Sequence, residues 1–334
     1  MIGKRPSLNA AWLEISELLK QSLHIAELES DVMKRIPFCI VIALLICAFG
    51  WTVFPRRRGG ILLTVAEAAQ LAGGPDTVEE NVSYAPGLKL DIYKPGDATG
   101  SRPAVILIHG GGWTSFDKST MKGMGGFLAR SGFVAFAVDY RLVHGTENRW
   151  PAQLDDVQRA VRWVRANAGK YGVNPDRIGA FGHSAGAQLA ALLGMQDTRD
   201  NSDPALAKYS SKVQAVVDVS GPADFTTEHD PEGVAFLSNF LGADYSKRPD
   251  IWQDASPVFH VAKNNAPFLI LHGTRDEMIP IAQSQELYDK LKAAGVQVSL
   301  IKVDDVHTFQ SPENKRQLAF ETMEFFNRYL AISR

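Results

Sequence analysis

The chain has 334 residues, which at roughly 150 residues per domain allows at most two domains. Lysine and arginine total 35 against 37 acidic residues, so the formal net charge is −2, which excludes a strongly basic nucleic-acid-binding surface. With 45% hydrophobic and 22% charged residues, the composition excludes a largely disordered chain. Two cysteines are too few for a disulfide framework or a cysteine-rich zinc site.

Residues 36–54 form a run of nineteen residues without a charge, IPFCIVIALLICAFGWTVF. At about 1.5 Å per residue, a helix of this length nearly crosses a hydrocarbon core of about 30 Å, so the run predicts a transmembrane or signal segment. A buried core helix is the alternative. Basic residues lie on both sides of the run, so the orientation stays open. We therefore expect a protein that is membrane-anchored or exported to the periplasm or medium.

The segments on either side of this run have different compositions. Residues 1–35 are predicted to be an extension that contains a short amphipathic helix, and Met33 within it is an alternative start. Residues 55–75 are rich in glycine and are predicted to be a linker. The globular domain is then predicted to span residues 76–334.

Strand and helix patterns alternate behind the linker. Residues 88–95 alternate apolar and polar side chains, as a half-buried antiparallel strand does. Continuous apolar runs, typical of strands covered on both faces, occur at 104–110, 133–140, 177–184, 213–220, 267–273 and 298–303. The clearest helical pattern comprises Leu154, Val157, Val161 and Val164 and ends near Gly172. This alternation predicts an α/β fold with a mostly parallel, doubly wound sheet and helices on both faces.

Residues 224–261 interrupt the alternation and are predicted to be a small lid or substrate-pocket insertion. Their large apolar residues are Phe236, Leu237, Phe240, Leu241 and Trp252. Ligands of open α/β sheets bind beyond the carboxyl ends of the strands, so the chemistry is expected in the loops at that edge.

The pentapeptide GHSAG at residues 182–186 follows a predicted strand and opens a predicted helix, which is the context of a nucleophile elbow. Such a sharp turn holds its serine in a strained conformation and leaves no space for Cβ atoms on either side, which explains Gly182 and Gly186. The helix amino terminus also favours developing negative charge. Ser184 is the predicted nucleophile.

A second glycine-rich loop, HGGGW at residues 109–113, follows another apolar strand. Backbone N–H groups of Gly111, Gly112 and Ala185 are the predicted oxyanion donors, each able to contribute about 10²–10³ in rate. A phosphate-binding loop is the alternative, although the third glycine of a dinucleotide fingerprint is missing. Trp113 and His183 are candidate substrate contacts, each with a packing role as its alternative.

A serine hydroxyl needs a base to accept its proton and a carboxylate to orient that base. Asp276 and His307 each follow a predicted strand, and the chain order of serine, acid and base fits a hydrolase triad. The alternatives are that Asp276 caps a helix, that His307 is an ordinary loop histidine, and that Asp304 or Asp305 is the acid.

The remaining histidines and acids are expected to have structural roles. His109 is predicted to brace its own glycine loop, and His272, at the end of a strand, is expected to be non-catalytic. No metal site is predicted among Asp139, Asp155 and Asp156, because no histidine lies at ligand spacing from them.

The motifs HGGGW, GHSAGA, HGTRDEMIP and DDVHTF together resemble the α/β-hydrolase superfamily, specifically its esterases of the hormone-sensitive-lipase and feruloyl/acetylxylan-esterase kind, over roughly residues 82–330. The resemblance implies cofactor-free hydrolysis of a small-molecule carboxylic ester. It implies Ser184 as nucleophile, His307 as base and Asp276 as its orienting acid. It also implies an oxyanion hole made by Gly111, Gly112 and Ala185.

Two positions depart from many lipase-type relatives, which carry aspartate and glycine where this chain has His183 and Ala187. GHSAGA is shared with arylformamidase-like relatives, so an amide hydrolase that uses the same triad is an alternative function. A non-catalytic binding module on the same fold is the second alternative.

Overall fold

The computed structural model describes residues 77–96, 100–227 and 230–330. The segments predicted at 1–35, 36–54 and 55–75 lie outside the described residues. Within the described ranges, no helix combines the length and the apolar character that crossing a bilayer requires.

The described chain forms one eight-stranded sheet with the order β1-β2-β4-β3-β5-β6-β7-β8. The strands are β1 (Thr77–Ala85), β2 (Leu88–Lys94), β3 (Arg102–Ile108), β4 (Val134–Val138), β5 (Val173–His183), β6 (Ala215–Val219), β7 (Phe268–Gly273) and β8 (Val298–Val303). The pairs β1–β2 and β2–β4 are antiparallel, and the strands from β4 across to β8 run parallel. The predicted antiparallel strand and the mostly parallel sheet are confirmed.

Helices cover both faces of the sheet. They are α1 (Lys122–Arg130), α2 (Ala152–Ala166), α3 (Ala168–Tyr171), α4 (Ala185–Met195), α5 (Pro231–Leu241), α6 (Pro249–Ala255), α7 (Ile281–Ala293) and α8 (Pro312–Leu330), with 3₁₀ turns at Lys118–Met121 and Pro257–Phe259. Alternate residues of β3 enter two different apolar cores: Ile106 packs in the core with α2, α4 and α7, and Leu107 in the core with α1 and α8. This two-sided burial explains the continuous apolar runs of the central strands.

The helical stripe predicted from Leu154 to Val164 forms α2. All four of its apolar residues are fully buried. The helical segment continues through α3 and ends at Gly172, which has the left-handed conformation usual after a helix.

Strand β1 and the two helices of the insertion, α5 and α6, were not predicted as secondary structure. Strand β1 carries mostly exposed or half-buried side chains, with Tyr84 its one buried residue, because it lies at the sheet edge and therefore lacks the apolar pattern of a covered strand. The predicted insertion at 224–261 contains α5 and α6. Asp230 caps α5 by accepting a hydrogen bond of 2.7 Å from the N–H of Gly233.

Helix α1 offers a matched test of how tightly it packs against the sheet. A Cβ atom on Gly125 would lie 2.5 Å from the Tyr93 ring of β2, whereas one on Gly123 would meet nothing within 4 Å. We predict that Gly125→Ala lowers the free energy of unfolding by about 1–3 kcal/mol through overpacking. Gly123→Ala should raise it by about 0.5–1 kcal/mol, because alanine restricts the unfolded chain more than glycine does. Denaturant unfolding measures both, and equal effects of the two variants would contradict this packing.

Candidate active site

Three of the predicted site residues meet at the carboxyl edge of the sheet. Ser184 follows β5, Asp276 follows β7 and His307 follows β8. The Nε2 atom of His307 lies 2.9 Å from Ser184 Oγ, and its Nδ1 atom lies 2.7 Å from Asp276 Oδ2. Residues far apart in the sequence are therefore joined in one hydrogen-bonded chain from carboxylate to imidazole to hydroxyl.

The turn that carries Ser184 is strained, with φ of 56° and ψ of −123°. A Cβ atom on Gly182 would lie 2.1 Å from the carbonyl oxygen of Gly186, and one on Gly186 would lie 2.2 Å from that of Ile108. The Ser184 N–H donates to the carbonyl of Val219 on β6 at 2.8 Å. Strands β3 and β6 thus contact the turn, and neither Gly182 nor Gly186 has space for a Cβ atom, as expected from the sequence.

The Asp276 side chain is fully buried. Its Oδ1 atom accepts hydrogen bonds of 2.9 Å from the N–H groups of Met278 and Ile279. Burial alone would raise the pKa of Asp276, but hydrogen bonds from His272, His307 and the Ile279 N–H outweigh it and hold this pKa well below its usual range.

An ionised Asp276 fixes the protonation of the neighbouring imidazole. Because a carboxylate only accepts hydrogen bonds, the Nδ1 atom of His307 must carry the proton that Asp276 accepts. The Nε2 atom then has a free lone pair directed at the Ser184 hydroxyl. This is the tautomer in which the imidazole can accept a proton from the serine.

The two alternative acids are engaged elsewhere. Asp304 is exposed and pairs with Arg275, whose Nε lies 2.6 Å from Asp304 Oδ1. The Asp305 carboxylate shapes the loop that carries His307 by accepting hydrogen bonds of 2.9–3.0 Å from Asn314 Nδ2 and from the backbone N–H groups of Val306, Gln310 and Ser311. These bonds, led by that from Asn314, lower the pKa of Asp305 to about 2.

The glycine loop turns back on itself beside the serine. The N–H groups of Thr114 and Ser115 donate to the carbonyl of Gly111, which has φ of 107° and whose Cβ position lies 2.2 Å from the Ser115 carbonyl oxygen. A side chain cannot fit there. Among the backbone hydrogen bonds of the described residues, none has the N–H of Gly111, Gly112 or Ala185 as its donor. The role of these three N–H groups as oxyanion donors stays a prediction.

Trp113 anchors the glycine loop to the insertion. Its side chain is buried and stacks on Phe240 of α5 with ring centroids 4.0 Å apart. Its Nε1–H donates to Oε1 of the buried Gln188 at 3.2 Å, and Gln188 Nε2 donates to the Ala255 carbonyl of α6 at 2.7 Å. Gln188 lies in an otherwise apolar helix, and its role was not predicted from the sequence. Contact of Trp113 with substrate stays a prediction.

Two histidines brace the loops around the serine. His183 Nε2 lies 3.0 Å from the carbonyl oxygen of His307, and burial lowers the pKa of His183, so its neutral ring donates that bond. A substrate contact by His183 stays a prediction. His109 stacks on Tyr140 with centroids 4.3 Å apart, and the Tyr140 hydroxyl donates to the His109 carbonyl at 3.0 Å. His109 thus supports its own glycine loop, as expected.

His272 is a part of the site that sequence analysis set aside. It is fully buried at the end of β7, and its Nε2 atom lies 3.2 Å from Asp276 Oδ2. Its position four residues before Asp276, across a turn, was the available signal. Within the described part of the chain, this site included, no group of three or more histidine, cysteine or acidic side chains has the arrangement of a metal site.

Two exposed phenyl rings lie against the glycine loop. A Cβ atom on Gly112 would lie 2.9 Å from Phe236 Cζ of α5, and one on Gly111 would lie 2.8 Å from Phe116 Cδ2. Phe236 is 44% exposed and Phe116 is 66% exposed, and Phe116 has φ of 67°. The rings thus form an apolar rim, which we define as Phe116 and Phe236, next to the predicted oxyanion donors.

Comparison with known proteins relates this geometry to enzymes. The chain is 33% identical over 222 residues to the probable carboxylic ester hydrolase LipM of Mycobacterium tuberculosis (strain ATCC 25618 / H37Rv), covering 64% of this chain and 51% of LipM. The chain therefore spans about half the length of this curated relative.

Two solved esterase structures are similar to this chain over most of their length. A truncated carbohydrate esterase from gut microbiota matches with a TM-score of 0.66 at 29% identity, covering 75% of this chain and 95% of that one. The butyrate-bound thermophilic esterase Est2 of Thermogutta terrifontis matches with a TM-score of 0.66 at 25% identity, covering 78% of this chain and 96% of that one.

The BD-FAE family model matches residues 90–291, which include β3 to β7, the glycine loop, the strained serine turn and Asp276. This match extends over more than half of the 334 residues. The chain therefore belongs to the BD-FAE family and has an α/β-hydrolase fold.

Proposed function

We propose that this protein is a serine carboxylesterase that hydrolyses carboxylic esters through an acyl-enzyme intermediate. The observation that carries the proposal is the chain of hydrogen bonds from Asp276 through His307 to Ser184, at 2.7 and 2.9 Å, beside the predicted oxyanion donors. The similarity to LipM and to two solved esterases supports ester hydrolysis as the reaction.

In the acylation step, His307 Nε2 accepts the Ser184 proton as Oγ attacks the ester carbonyl carbon. The carbonyl oxygen becomes an oxyanion and accepts hydrogen bonds from the N–H groups of Gly111, Gly112 and Ala185, and the amino terminus of α4 further stabilises its charge. The bond to the alcohol oxygen then breaks, and His307 donates its proton to the leaving alcohol. Proton transfer of this kind contributes about 10²–10⁴ in rate.

Deacylation repeats these steps with water. His307 accepts a proton from the water that attacks the acyl carbon, the bond to Ser184 Oγ breaks, and Oγ recovers the proton from His307. Asp276 stays ionised throughout, keeps the proton of the neutral imidazole on Nδ1, and stabilises the imidazolium that forms in each step.

The apolar rim supports esters with a short apolar acyl or aryl group as substrates. Because the rings contact the glycines that supply the proposed oxyanion donors, they lie next to the substituents of a bound ester carbonyl. Large exposed aromatic rings beside a site are typical of surfaces that bind apolar groups. The similar Thermogutta terrifontis enzyme was solved with butyrate bound. Insertion helices α5 and α6 would then act as the lid, with α5 contributing Phe236 to this rim.

The GHSAGA motif leaves an amide hydrolase with the same triad as the second candidate function. Parallel assays on short esters, formyl-kynurenine and aminoacyl anilides separate the two. We expect higher kcat/KM for esters, and faster turnover of an amide would favour the second candidate.

The triad assignment predicts the effect of single substitutions on turnover of p-nitrophenyl acetate and butyrate. Ser184→Ala and Asp276→Asn should each lower kcat by about 10⁴-fold or more, since one removes the nucleophile and the other the correct imidazole tautomer. Asp304→Asn is the matched control and should stay within about two-fold, because that carboxylate is exposed and pairs with Arg275. Equal rates for wild type and Ser184→Ala would refute the proposed function.

The apolar rim predicts acyl-chain preference. Phe236→Ala should lower the ratio of kcat/KM for p-nitrophenyl butyrate to that for the acetate by about ten-fold, since each buried methylene contributes about 0.8 kcal/mol. Phe259→Ala is the control, because Phe259 is similarly exposed, at 46%, but packs beside Lys290. A ratio that Phe236→Ala leaves unchanged would exclude this ring from acyl binding.

We also propose that residues 36–54 hold the protein at a membrane or direct its export. The uncharged run of nineteen residues supports this proposal. Leu44→Arg should shift the protein from the membrane or exported fraction to the cytosol, since arginine at the centre of such a helix costs about 2.5–3.5 kcal/mol. Cell fractionation with detection of the intact amino terminus measures the shift, and an unchanged distribution would count against the proposal.

A further inference from the structure

A second imidazole lies behind the proposed catalytic acid. His272 Nε2 is 3.2 Å from Asp276 Oδ2 and 2.9 Å from the carbonyl oxygen of Ile279. Its Nδ1 atom is 2.6 Å from the hydroxyl oxygen of Ser284 on α7. The His272 side chain is fully buried, so these three groups, rather than solvent, are its polar partners.

The partners of His272 determine which ring nitrogen carries the proton. Two acceptors face Nε2, a carboxylate and a carbonyl, so Nε2 must be a donor. A hydroxyl faces Nδ1 and can donate to its lone pair. Ser284 therefore favours the neutral tautomer in which Nε2 of His272 carries the proton, which the Ile279 carbonyl accepts at 2.9 Å with Asp276 Oδ2 3.2 Å away.

This arrangement restrains the Asp276 carboxylate on every side. Oδ1 accepts from the N–H groups of Met278 and Ile279, and Oδ2 accepts from His307 and lies 3.2 Å from Nε2 of His272. Rotation of the carboxylate would break several of these contacts, and each buried polar group left unsatisfied costs about 1–3 kcal/mol. Oδ2 is thus held at 2.7 Å from His307 Nδ1.

We propose that His272 is a positioning residue for ester hydrolysis, with Ser284 setting its tautomer. The proposal rests on the proposed function, in which His307 is the base. His272 acts through Asp276: its N–H fixes the direction of Oδ2 and withdraws negative charge from it. That withdrawal limits how tightly Asp276 holds an imidazolium at His307.

Other charged groups near His272 must be considered in any pH experiment. Asp218, buried on the neighbouring strand β6, interacts electrostatically with His272, and burial raises the pKa of Asp218 to about 6. Lys302 is the register partner of His272 on β8, and its side chain is exposed. Asp276 and His307 are further titratable groups of this network, and α7 contributes the uncharged Ser284.

Two substitutions at position 272 separate hydrogen bonding from packing. His272→Leu removes the donor, whereas His272→Gln keeps an N–H near the position of Nε2. We expect His272→Leu to lower kcat for p-nitrophenyl butyrate by about 10- to 100-fold with KM nearly unchanged. The magnitude is taken by analogy from metal enzymes, in which loss of a residue that orients a metal-binding histidine lowers activity by that factor. Its acid limb of kcat/KM should move to higher pH, because Asp276 then binds the imidazolium more tightly. His272→Gln should restore most of kcat and return the acid limb toward its wild-type pH. Ser284→Ala should lower kcat and move the acid limb to higher pH, each by less than His272→Leu does.

A spectroscopic readout makes the test independent of substrate. The low-field ¹H resonance of the His307 Nδ1–H reports its hydrogen bond to Asp276, so it should shift in His272→Leu and return toward the wild-type position in His272→Gln. Asp218→Asn is the control for the buried acid and should leave the acid limb in place. An acid limb that moves equally in Asp218→Asn would assign the pH effect to Asp218 and overturn the role of His272.

The outcomes distinguish this proposal from the proposed function. Full activity of Ser184→Ala would refute the function, whatever His272 does. An inactive Ser184→Ala together with wild-type kcat, pH profile and low-field resonance in His272→Leu would refute the positioning role alone. Should His272→Leu not fold, Ser284→Ala decides, and an unchanged kcat and resonance in that folded variant would overturn the proposal.

Discussion

The site depends on the close approach of helix α4 to strand β3. Gly186 lies against the carbonyl of Ile108 with no space for a side chain, and the turn just before it holds Ser184 at a positive φ of 56°. An isolated peptide would not keep a serine at φ of 56°, because the strain costs about 1–3 kcal/mol. The buried sheet supplies that energy through the packing of α4, whose residues are all buried. The serine therefore lies at the carboxyl edge of the sheet, where the loops after β7 and β8 meet.

Electrostatics then determines what the serine can do. A buried carboxylate is stable only when donors surround it, and Asp276 has two backbone N–H groups and two imidazoles. The same donors that keep Asp276 ionised also set the tautomer of His307. Asp305, two residues before His307, shapes its loop through a separate set of hydrogen bonds. Two separate sets of hydrogen bonds, one around Asp276 and one around Asp305, therefore hold the loops that carry Asp276 and His307.

The insertion links the glycine loop to the surface that a substrate would meet. Phe240 stacks on Trp113, and Gln188 joins the same tryptophan to α6, so the position of the glycine loop depends on α5 and α6 as well as on β3. Phe236, on the same helix as Phe240, points instead toward Gly112 and stays partly exposed. One helix thus supports the loop with one ring and presents another beside it.

The sequence by itself predicted the mostly parallel sheet and helix α2, because the spacing of apolar residues is a local signal. It also predicted Ser184, Asp276 and His307 as a triad, because glycines mark the serine turn and each of the three residues follows a predicted strand. Strand β1 was not predictable, since an exposed edge strand carries no such pattern. Only the tertiary structure decided that Asp276, rather than Asp304 or Asp305, faces His307, that Gln188 links two loops, and that His272 contacts Asp276. The reason is physical: which carboxylate meets an imidazole depends on how loops from separate strands pack in three dimensions, and residue spacing does not encode that arrangement.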